Sequence, residues 1–157
     1  MATEIERKFL VCGDQWRSAV TASRSIRQAY LARAQHANVR VRIIDESEAR
    51  LTIKSARGEI AREEYEYPLP LDDARAMLAL REGGLIEKVR HLLLAGGGRT
   101  WEVDVFAGAH AGLVLAEIEL EHADEAFARP DWLGREVTGE RCYGNAALAL
   151  AGTVDAL

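Results

Sequence analysis

Charged side chains recur at every second position in seven segments of this 157-residue sequence. Arginine forks and lysine ammonium groups suit phosphate oxygens, and clustered carboxylates are hard oxygen ligands for Mg²⁺ or Mn²⁺. Acids and bases on one surface therefore predict a site for phosphate together with a metal ion. The bases are Lys8, Arg40, Arg42, Lys54, Lys88 and Arg90, and the acids are Glu4, Glu6, Glu64, Glu66, Glu102, Asp104, Glu117, Glu119 and Glu121.

Strand geometry places these charges on one face of a sheet. Successive side chains of a β-strand point to opposite faces, so the charged residues of each segment lie opposite its Val, Ile, Leu, Trp or Tyr residues. An ordinary antiparallel sheet with one solvated face explains any single strand. The repetition favours a functional surface, because Glu, Asp and Lys are depleted in strands and this face is almost purely charged.

The charge balance of this face argues for the metal ion. Six bases and nine acids give the face a net charge of −3, so the face alone should repel a polyanion. One or two divalent cations would offset or reverse that charge.

The elements that position this face are predicted to be eight strands and three helices. Most strand segments are rich in β-branched or aromatic residues and are bounded by turn signals. Residues 46–48, 56–59 and 96–98 are compatible with hairpin connections. The predicted strands are 3–11, 25–33, 38–44, 49–55, 60–68, 86–94, 99–106 and 113–121, and the predicted helices are 14–20, 72–82 and 145–151.

We expect these strands to form a closed, inverted barrel. Short antiparallel connections favour closure, and an inward apolar face would leave the helices with nothing apolar to pack on. Charges inside a narrow barrel must be hydrated, paired or filled by a ligand. The predicted fold is therefore α+β, mainly β: a single domain, 1–157, with an eight-stranded barrel, a charged interior and helices outside. Trp16, Trp101 and Trp132 are predicted to pack in the outer shell.

The amino-acid composition limits the classes of binding partner that this protein is expected to have. A net charge of −5 and a pI near 5.4 argue against nonspecific binding to nucleic acid. Glu4 and Glu6 interrupt the first apolar stretch, unlike a signal peptide, and no apolar run approaches the ~18 residues of a membrane span. Cys12 and Cys142 are expected to be reduced thiols. We therefore expect a cytoplasmic protein with a small-molecule partner and neither nucleic-acid nor membrane partners.

The ordered charges resemble those of the CYTH superfamily, also called triphosphate tunnel metalloenzymes. The opening EIERK fits the family's ExExK signature, and the tail TGERCYGNAAL is similar to the bacterial inorganic triphosphatase branch. Cys142 departs from the pattern, since a basic residue is expected there, and Arg141 is the neighbouring substitute. The other matches are the Arg40/Arg42 pair, Lys54 in LTIK, Glu64/Glu66 in EYEY, Lys88/Arg90, Asp104 in WEVD and Glu117/Glu119 in AEIE.

The resemblance implies an eight-stranded tunnel that hydrolyses tripolyphosphate to pyrophosphate and phosphate with one or two Mg²⁺ or Mn²⁺ ions. A class IV adenylyl cyclase, a thiamine triphosphatase and a noncatalytic polyphosphate-binding module are the alternatives. Glu64 and Glu66 would orient bases or water, and Tyr30 either lines the tunnel or packs in its strand. The implied phosphate-binding residues are Lys8, Arg40, Arg42, Lys54, Lys88 and Arg90, the metal ligands Glu4, Glu6, Asp104, Glu117 and Glu119, and the catalytic residues Glu4, Glu6, Lys8 and Lys54.

Overall fold

A computed structural model describes residues 2–55 and 61–150 of the chain. Within these residues, strands dominate, and three short 3₁₀ helices lie at Gln15–Ala19, Gly108–His110 and Arg141–Tyr143. The other elements are β1 (Ala2–Val11), β2 (Val20–Arg33), β3 (Ala37–Ile44), β4 (Glu48–Ser55), β5 (Ala61–Leu69), α1 (Leu71–Leu78), β6 (Glu82–Gly96), β7 (Arg99–Phe106), β8 (Val114–Glu119), β9 (Leu133–Glu136) and α2 (Asn145–Leu150).

The first eight strands close into an antiparallel barrel, as predicted. Their order around the barrel is β1, β8, β7, β6, β2, β3, β4, β5, and β5 pairs with β1 to complete the ring. The closing pair aligns Ala2 with Glu64 and Ile5 with Ala61. Closure leaves an inside and an outside, so the alternation along each strand decides which side chains meet in the interior.

The ninth strand, β9, was not predicted. It pairs with the end of β1, aligning Val11 with Leu133. Gly134 permits this close approach, since a Cβ atom there would lie 2.9 Å from the Sγ atom of Cys12 and 3.1 Å from the carbonyl oxygen of Leu10. With only four residues, β9 is too short for its alternation to be recognised in the sequence.

The predicted elements are present with some shifted bounds. β2 begins at Val20 rather than at residue 25, and β6 runs from Glu82 to Gly96 rather than over 86–94, because the two strands pair with each other along their extensions. α1 ends at Leu78 rather than at residue 82, since Glu82 already belongs to β6. The glycines at 96–98 form the β6–β7 turn with positive φ angles of 80°, 59° and 75°. The predicted turn at 56–59 lies outside the described residues.

Two apolar clusters pack on the outside of the barrel. Trp16, Trp101 and Trp132 belong to one buried cluster around Phe9 and Ile118, as predicted for the tryptophans. On another side, α1 places Ala74 and Leu78 against Ala29, Val41 and Ile43 of β2 and β3. These two clusters place buried apolar area outside the ring of strands, which stabilises a barrel whose centre is charged.

The C-terminal helix covers one end of the barrel. Leu148 and Ala149 of α2 are buried against a cluster that includes Tyr30, Ile86 and Phe106. Leu148 is thus buried, whereas the side chain of residue 150 and all of residue 151, which the predicted helix 145–151 includes, lie outside the description. Within residues 2–55 and 61–150, no helix combines the length and the apolar character needed to cross a membrane.

Candidate active site

Charged side chains inside the barrel are almost completely shielded from solvent. Arg40, Lys88, Asp104 and Glu117 have relative exposures of 4%, 2%, 1% and 8%. They come from four different strands, and their sequence neighbours on those strands point outward, as Val41 does. The inverted arrangement of the barrel is therefore confirmed for the residues that form its centre.

A cavity of about 330 Å³ opens into the barrel beside α2; we call it the near cavity. Its described lining carries six basic and two acidic side chains, so the local charge is positive although the whole protein is negative. A cleft lined mainly by one sign of charge concentrates ions of the other sign. The bases are Lys8, Arg33, Arg40, Lys54, Arg62 and Arg141, and the acids are Glu6 and Glu140.

Three glutamates from β1 and β8 lie close together beside this cavity. The negative charge of Glu117, burial and the charge of Glu4 raise the pKa of Glu6 to about 8. Lys8 Nζ lies 3.4 Å from Glu117 Oε1, and Lys54 Nζ lies 2.8 Å from Glu4 Oε2. The two ammonium groups therefore neutralise part of the carboxylate charge.

This carboxylate group, Glu4, Glu6 and Glu117, suits a divalent cation chemically. The raised pKa of Glu6 means that its neighbours disfavour another negative charge, and a bound cation would relieve that repulsion. In the described part of the chain, no three His, Cys, Asp or Glu side chains already form a metal-binding group. Lys54 and Lys8 hold Glu4 and Glu117 instead, so binding a metal ion requires these side chains to reorient.

Asp104 holds two of the interior cations. Arg90 donates to it from Nε and Nη2 at 2.8 and 2.9 Å, and Lys88 Nζ donates to Oδ2 at 2.7 Å. Burial would raise the pKa of Asp104, but Arg90 and Lys88 outweigh it and lower this pKa to about 2. Burial lowers the pKa of Lys88 to about 7, against the opposing effect of Asp104. Both oxygens of Asp104 therefore accept hydrogen bonds from interior cations.

Arg40 and Arg42 have no acidic partner among the described residues. Arg42 Nε donates to Gln28 Oε1 at 2.7 Å, and Arg40 Nη2 donates to Thr52 Oγ1 at 3.5 Å. Burial, together with the positive charges of Arg40 and Arg90, lowers the pKa of Arg42 to about 9. An anion bound here would relieve the repulsion among the guanidinium groups.

The remaining acids of the predicted interior are more exposed. Glu64 is partly buried, and burial raises its pKa. The side chain of Glu66 is 41% exposed, and Glu119 is exposed at the end of β8. The prediction that Glu121 faces the interior was wrong: β8 ends at Glu119, and the side chain of Glu121 is 74% exposed near Arg99.

Two basic residues that line the near cavity, Arg62 and Arg33, were not predicted from the sequence. Arg62 has the same parity on β5 as Glu64, so alternation alone could have identified it. Arg33 could not be found in this way, because an irregularity between Tyr30 and Ala32 shifts the alternation of β2. Tyr30 lines the near cavity and also packs in the cluster under α2, so both of its predicted roles hold.

The C-terminal segment contributes to the same cavity. Arg141 lines it, and Lys8 Nζ donates to the carbonyl oxygen of Tyr143 at 3.1 Å. Arg141 therefore supplies a basic group beside the position where Cys142 departs from the family pattern.

A closed antiparallel barrel whose interior combines cations and carboxylates defines a tunnel-type protein for anionic ligands. The chain belongs to the CYTH family: the CYTH domain model matches residues 2–145. One relative, an inorganic triphosphatase of Acetivibrio thermocellus, is 43% identical over 149 residues, covering 94% of each chain. A second, an inorganic triphosphatase of Nitrosomonas europaea, is 36% identical over 152 residues, covering 95% of this chain and 98% of the relative.

Solved structures share the barrel. A crystal structure of an inorganic triphosphatase superposes with a TM-score of 0.70 at 35% identity, covering 96% of this chain and 97% of the other. A putative adenylyl cyclase from Hippeastrum superposes with a TM-score of 0.59 at 14% identity, covering 76% and 80%. The second similarity concerns the fold alone.

Proposed function

We propose that this protein hydrolyses inorganic tripolyphosphate to pyrophosphate and phosphate in a metal-dependent reaction. The observation that carries the proposal is the near cavity, where a positive lining lies beside the carboxylate group Glu4, Glu6 and Glu117. A polyphosphate chain requires several cations, and its metal ion requires carboxylates. The two relatives named inorganic triphosphatase support the same substrate.

The phosphate chain is proposed to lie along the barrel interior. Lys8, Arg40 and Lys54 line the near cavity. Arg42 and Arg90 line a second cavity of about 280 Å³, which we call the far cavity. Charge-assisted hydrogen bonds from these groups would hold the phosphate oxygens. With Lys88, which is buried in the barrel interior, the proposed phosphate-binding set is Lys8, Arg40, Arg42, Lys54, Lys88 and Arg90.

The reaction adds one water molecule across a terminal P–O–P linkage. The water oxygen bonds to the terminal phosphorus, the bond from that phosphorus to the bridging oxygen breaks, and pyrophosphate leaves with the bridging oxygen. One water proton ends on the products or in solvent. Lys8 and Lys54 are proposed to stabilise the charge that develops on the phosphoryl oxygens, since a cation in a shielded site interacts strongly with a developing negative charge.

The proposed metal ligands are Glu4, Glu6 and Glu117, with Glu119 as a further candidate at the exposed end of β8. One or two Mg²⁺ or Mn²⁺ ions suit these oxygen ligands. Such an ion, when bound, neutralises substrate charge and orients or acidifies the attacking water. Glu4 and Glu6 thereby join Lys8 and Lys54 in the proposed catalytic set.

In this proposal Asp104, predicted as a metal ligand, receives another role, whereas Glu64 and Glu66 keep theirs. Asp104 positions Lys88 and Arg90, as its hydrogen bonds indicate. Glu64 and Glu66 are proposed to orient bases or water near the phosphate chain.

The test is phosphate release from tripolyphosphate, ATP and thiamine triphosphate, each with Mg²⁺, Mn²⁺ and Ca²⁺. We expect the highest kcat/KM with tripolyphosphate, equimolar pyrophosphate and phosphate, and no release in EDTA. Cyclic AMP formed from ATP, or a preference for thiamine triphosphate, would assign a different activity. Tripolyphosphate binding without turnover would indicate a noncatalytic module. The small-molecule triphosphate is the proposed partner, and the cytoplasmic location stays a prediction from the sequence.

A further inference from the structure

The amide of Gln28 has one buried donor without a partner. Gln28 is 0% exposed on β2, and its Nε2 atom has no hydrogen-bond partner among the described residues. Its Oε1 atom accepts from Arg42 Nε at 2.7 Å. That bond fixes which end of the amide faces Arg42, because the guanidinium has only donors. A buried unpaired donor is unfavourable, so the Nε2 end indicates a missing acceptor.

The position of Gln28 places this donor between the two cavities. Ile26, two residues earlier on β2, lines the far cavity, and Tyr30, two residues later, lines the near cavity. Gln28 is aligned across the sheet with Arg42 of β3 and Ile86 of β6. The amide therefore lies in the barrel wall at the level that a chain extending from one cavity to the other must pass.

A second unpaired donor lies on the neighbouring strand. The Nε atom of Arg40 is buried and has no partner within the described residues. Arg40 and Arg42 repel each other, and Gln28 is bonded to Arg42. Two unpaired donors and two guanidinium groups thus lie together. A phosphoryl group satisfies this combination, because it supplies both negative charge and several acceptor oxygens.

We propose that Gln28 Nε2 donates a hydrogen bond to a phosphoryl oxygen of the bound triphosphate. Gln28 is then a substrate-contacting residue and not only the residue that positions Arg42. This inference rests on the proposed function and extends it to a neutral side chain outside the predicted set of charges.

A double-mutant cycle with Gln28 and Arg42 distinguishes a direct contact between Gln28 and the substrate from an effect of Gln28 on the position of Arg42. Gln28→Met preserves an unbranched, buried side chain but removes the donor and the acceptor. The probe is the carbon-bridged analogue of tripolyphosphate, which cannot be hydrolysed. Its affinity for each variant is measured by titration calorimetry in the presence of Mg²⁺. We expect Gln28→Met to weaken binding about tenfold in the wild type and to weaken it again in the Arg42→Ala background, since hydrogen bonds to charged groups are stronger than neutral ones. Gln15→Met, on the exposed 3₁₀ helix, is the matched control and should bind as the wild type does.

The outcomes distinguish this inference from the proposed activity. Unchanged affinity in Gln28→Met overturns the contact, and so does an effect that disappears in the Arg42→Ala background. If Gln28→Met folds poorly, Gln28→Glu keeps an acceptor for Arg42 while removing the donor, and binding as tight as that of the wild type would also overturn it. A wild type that binds the analogue but releases no phosphate from tripolyphosphate contradicts the hydrolysis, while the affinities still test Gln28.

Discussion

Two ion pairs inside the barrel should couple the binding of the triphosphate to the binding of the metal ion. Lys54 and Glu4 lie 2.8 Å apart, and Lys8 and Glu117 lie 3.4 Å apart. A phosphate oxygen would bind the lysine of each pair, and a metal ion would bind the carboxylate. If only one ligand binds, the other residue of the ion pair stays buried with its charge less well neutralised, which is unfavourable. Phosphate and metal should therefore strengthen each other's binding.

The protonation of Glu6 gives a prediction for the metal-free protein. Its pKa is raised from 4.5 to about 8, so between these values the folded protein holds a proton that the unfolded chain has released. The free energy of unfolding therefore falls as the pH rises through this range. Glu6→Gln has no proton to lose, so we expect it to lose less stability than the wild type between pH 5 and pH 8.

Thermal unfolding in EDTA at the two pH values measures this difference. Glu63→Gln, exposed on β5, is the control and should follow the wild type. Equal losses of stability in Glu6→Gln and the wild type would show that Glu6 does not carry the raised pKa.

Among the elements, α2 depends most on tertiary packing. A helix of six residues is too short to be stable alone. Leu148 is 1% exposed in the cluster beneath α2, and the Nε2 atom of the buried His110 lies 2.7 Å from the carbonyl oxygen of Leu148. At its start, Asn145 Oδ1 accepts from Lys88 Nζ at 3.4 Å. The helix that covers the end of the barrel is thus attached both to the apolar cluster and to an interior cation.

Truncation of the buried leucine tests this attachment. Leu148→Ala should lower the free energy of unfolding by about 2–5 kcal/mol, the usual effect of removing a buried leucine side chain. Leu80→Ala is the matched control, because Leu80 is 71% exposed and should change stability little. Urea unfolding of both variants measures the effect, and similar midpoints would show that α2 contributes little to the folded state.

The sequence predicted those elements whose pattern depends on local geometry alone. The alternation of charged and apolar residues predicted the strands. It also predicted that residues such as Arg40 and Lys88 point inward, because alternate side chains of a closed barrel face its interior and its exterior. Other features depend on contacts distant in the sequence. The irregularity after Tyr30, which brings Arg33 to the near cavity, arises where β2 pairs with β3. The pairing of Asp104 with Lys88 and Arg90 also could not be predicted, since alternation assigns a face and not a partner.

At the scale of the whole molecule, closure of the barrel concentrates basic side chains in the near cavity, although acids and bases are interspersed along the sequence. The protein has a net charge of −5, yet the near cavity has more bases than acids. Lys8 of β1 and Arg40 of β3 line it together only because the barrel brings distant strands around one space. The outer apolar shells supply the stability that an interior of buried charges does not.

Arginines inside the barrel should act on the substrate, whereas arginines outside it should not. Arg40 lies in the interior at 4% exposure, and Arg27, on the outward face of β2, bonds to Glu46. The measurement is kcat/KM for tripolyphosphate in Arg40→Met and Arg27→Met, each with confirmed folding. We expect a loss of about a hundredfold or more for Arg40→Met, since it removes a shielded cation from a developing charge, and wild-type values for Arg27→Met. Equal activities in the two variants would contradict a substrate bound inside the tunnel.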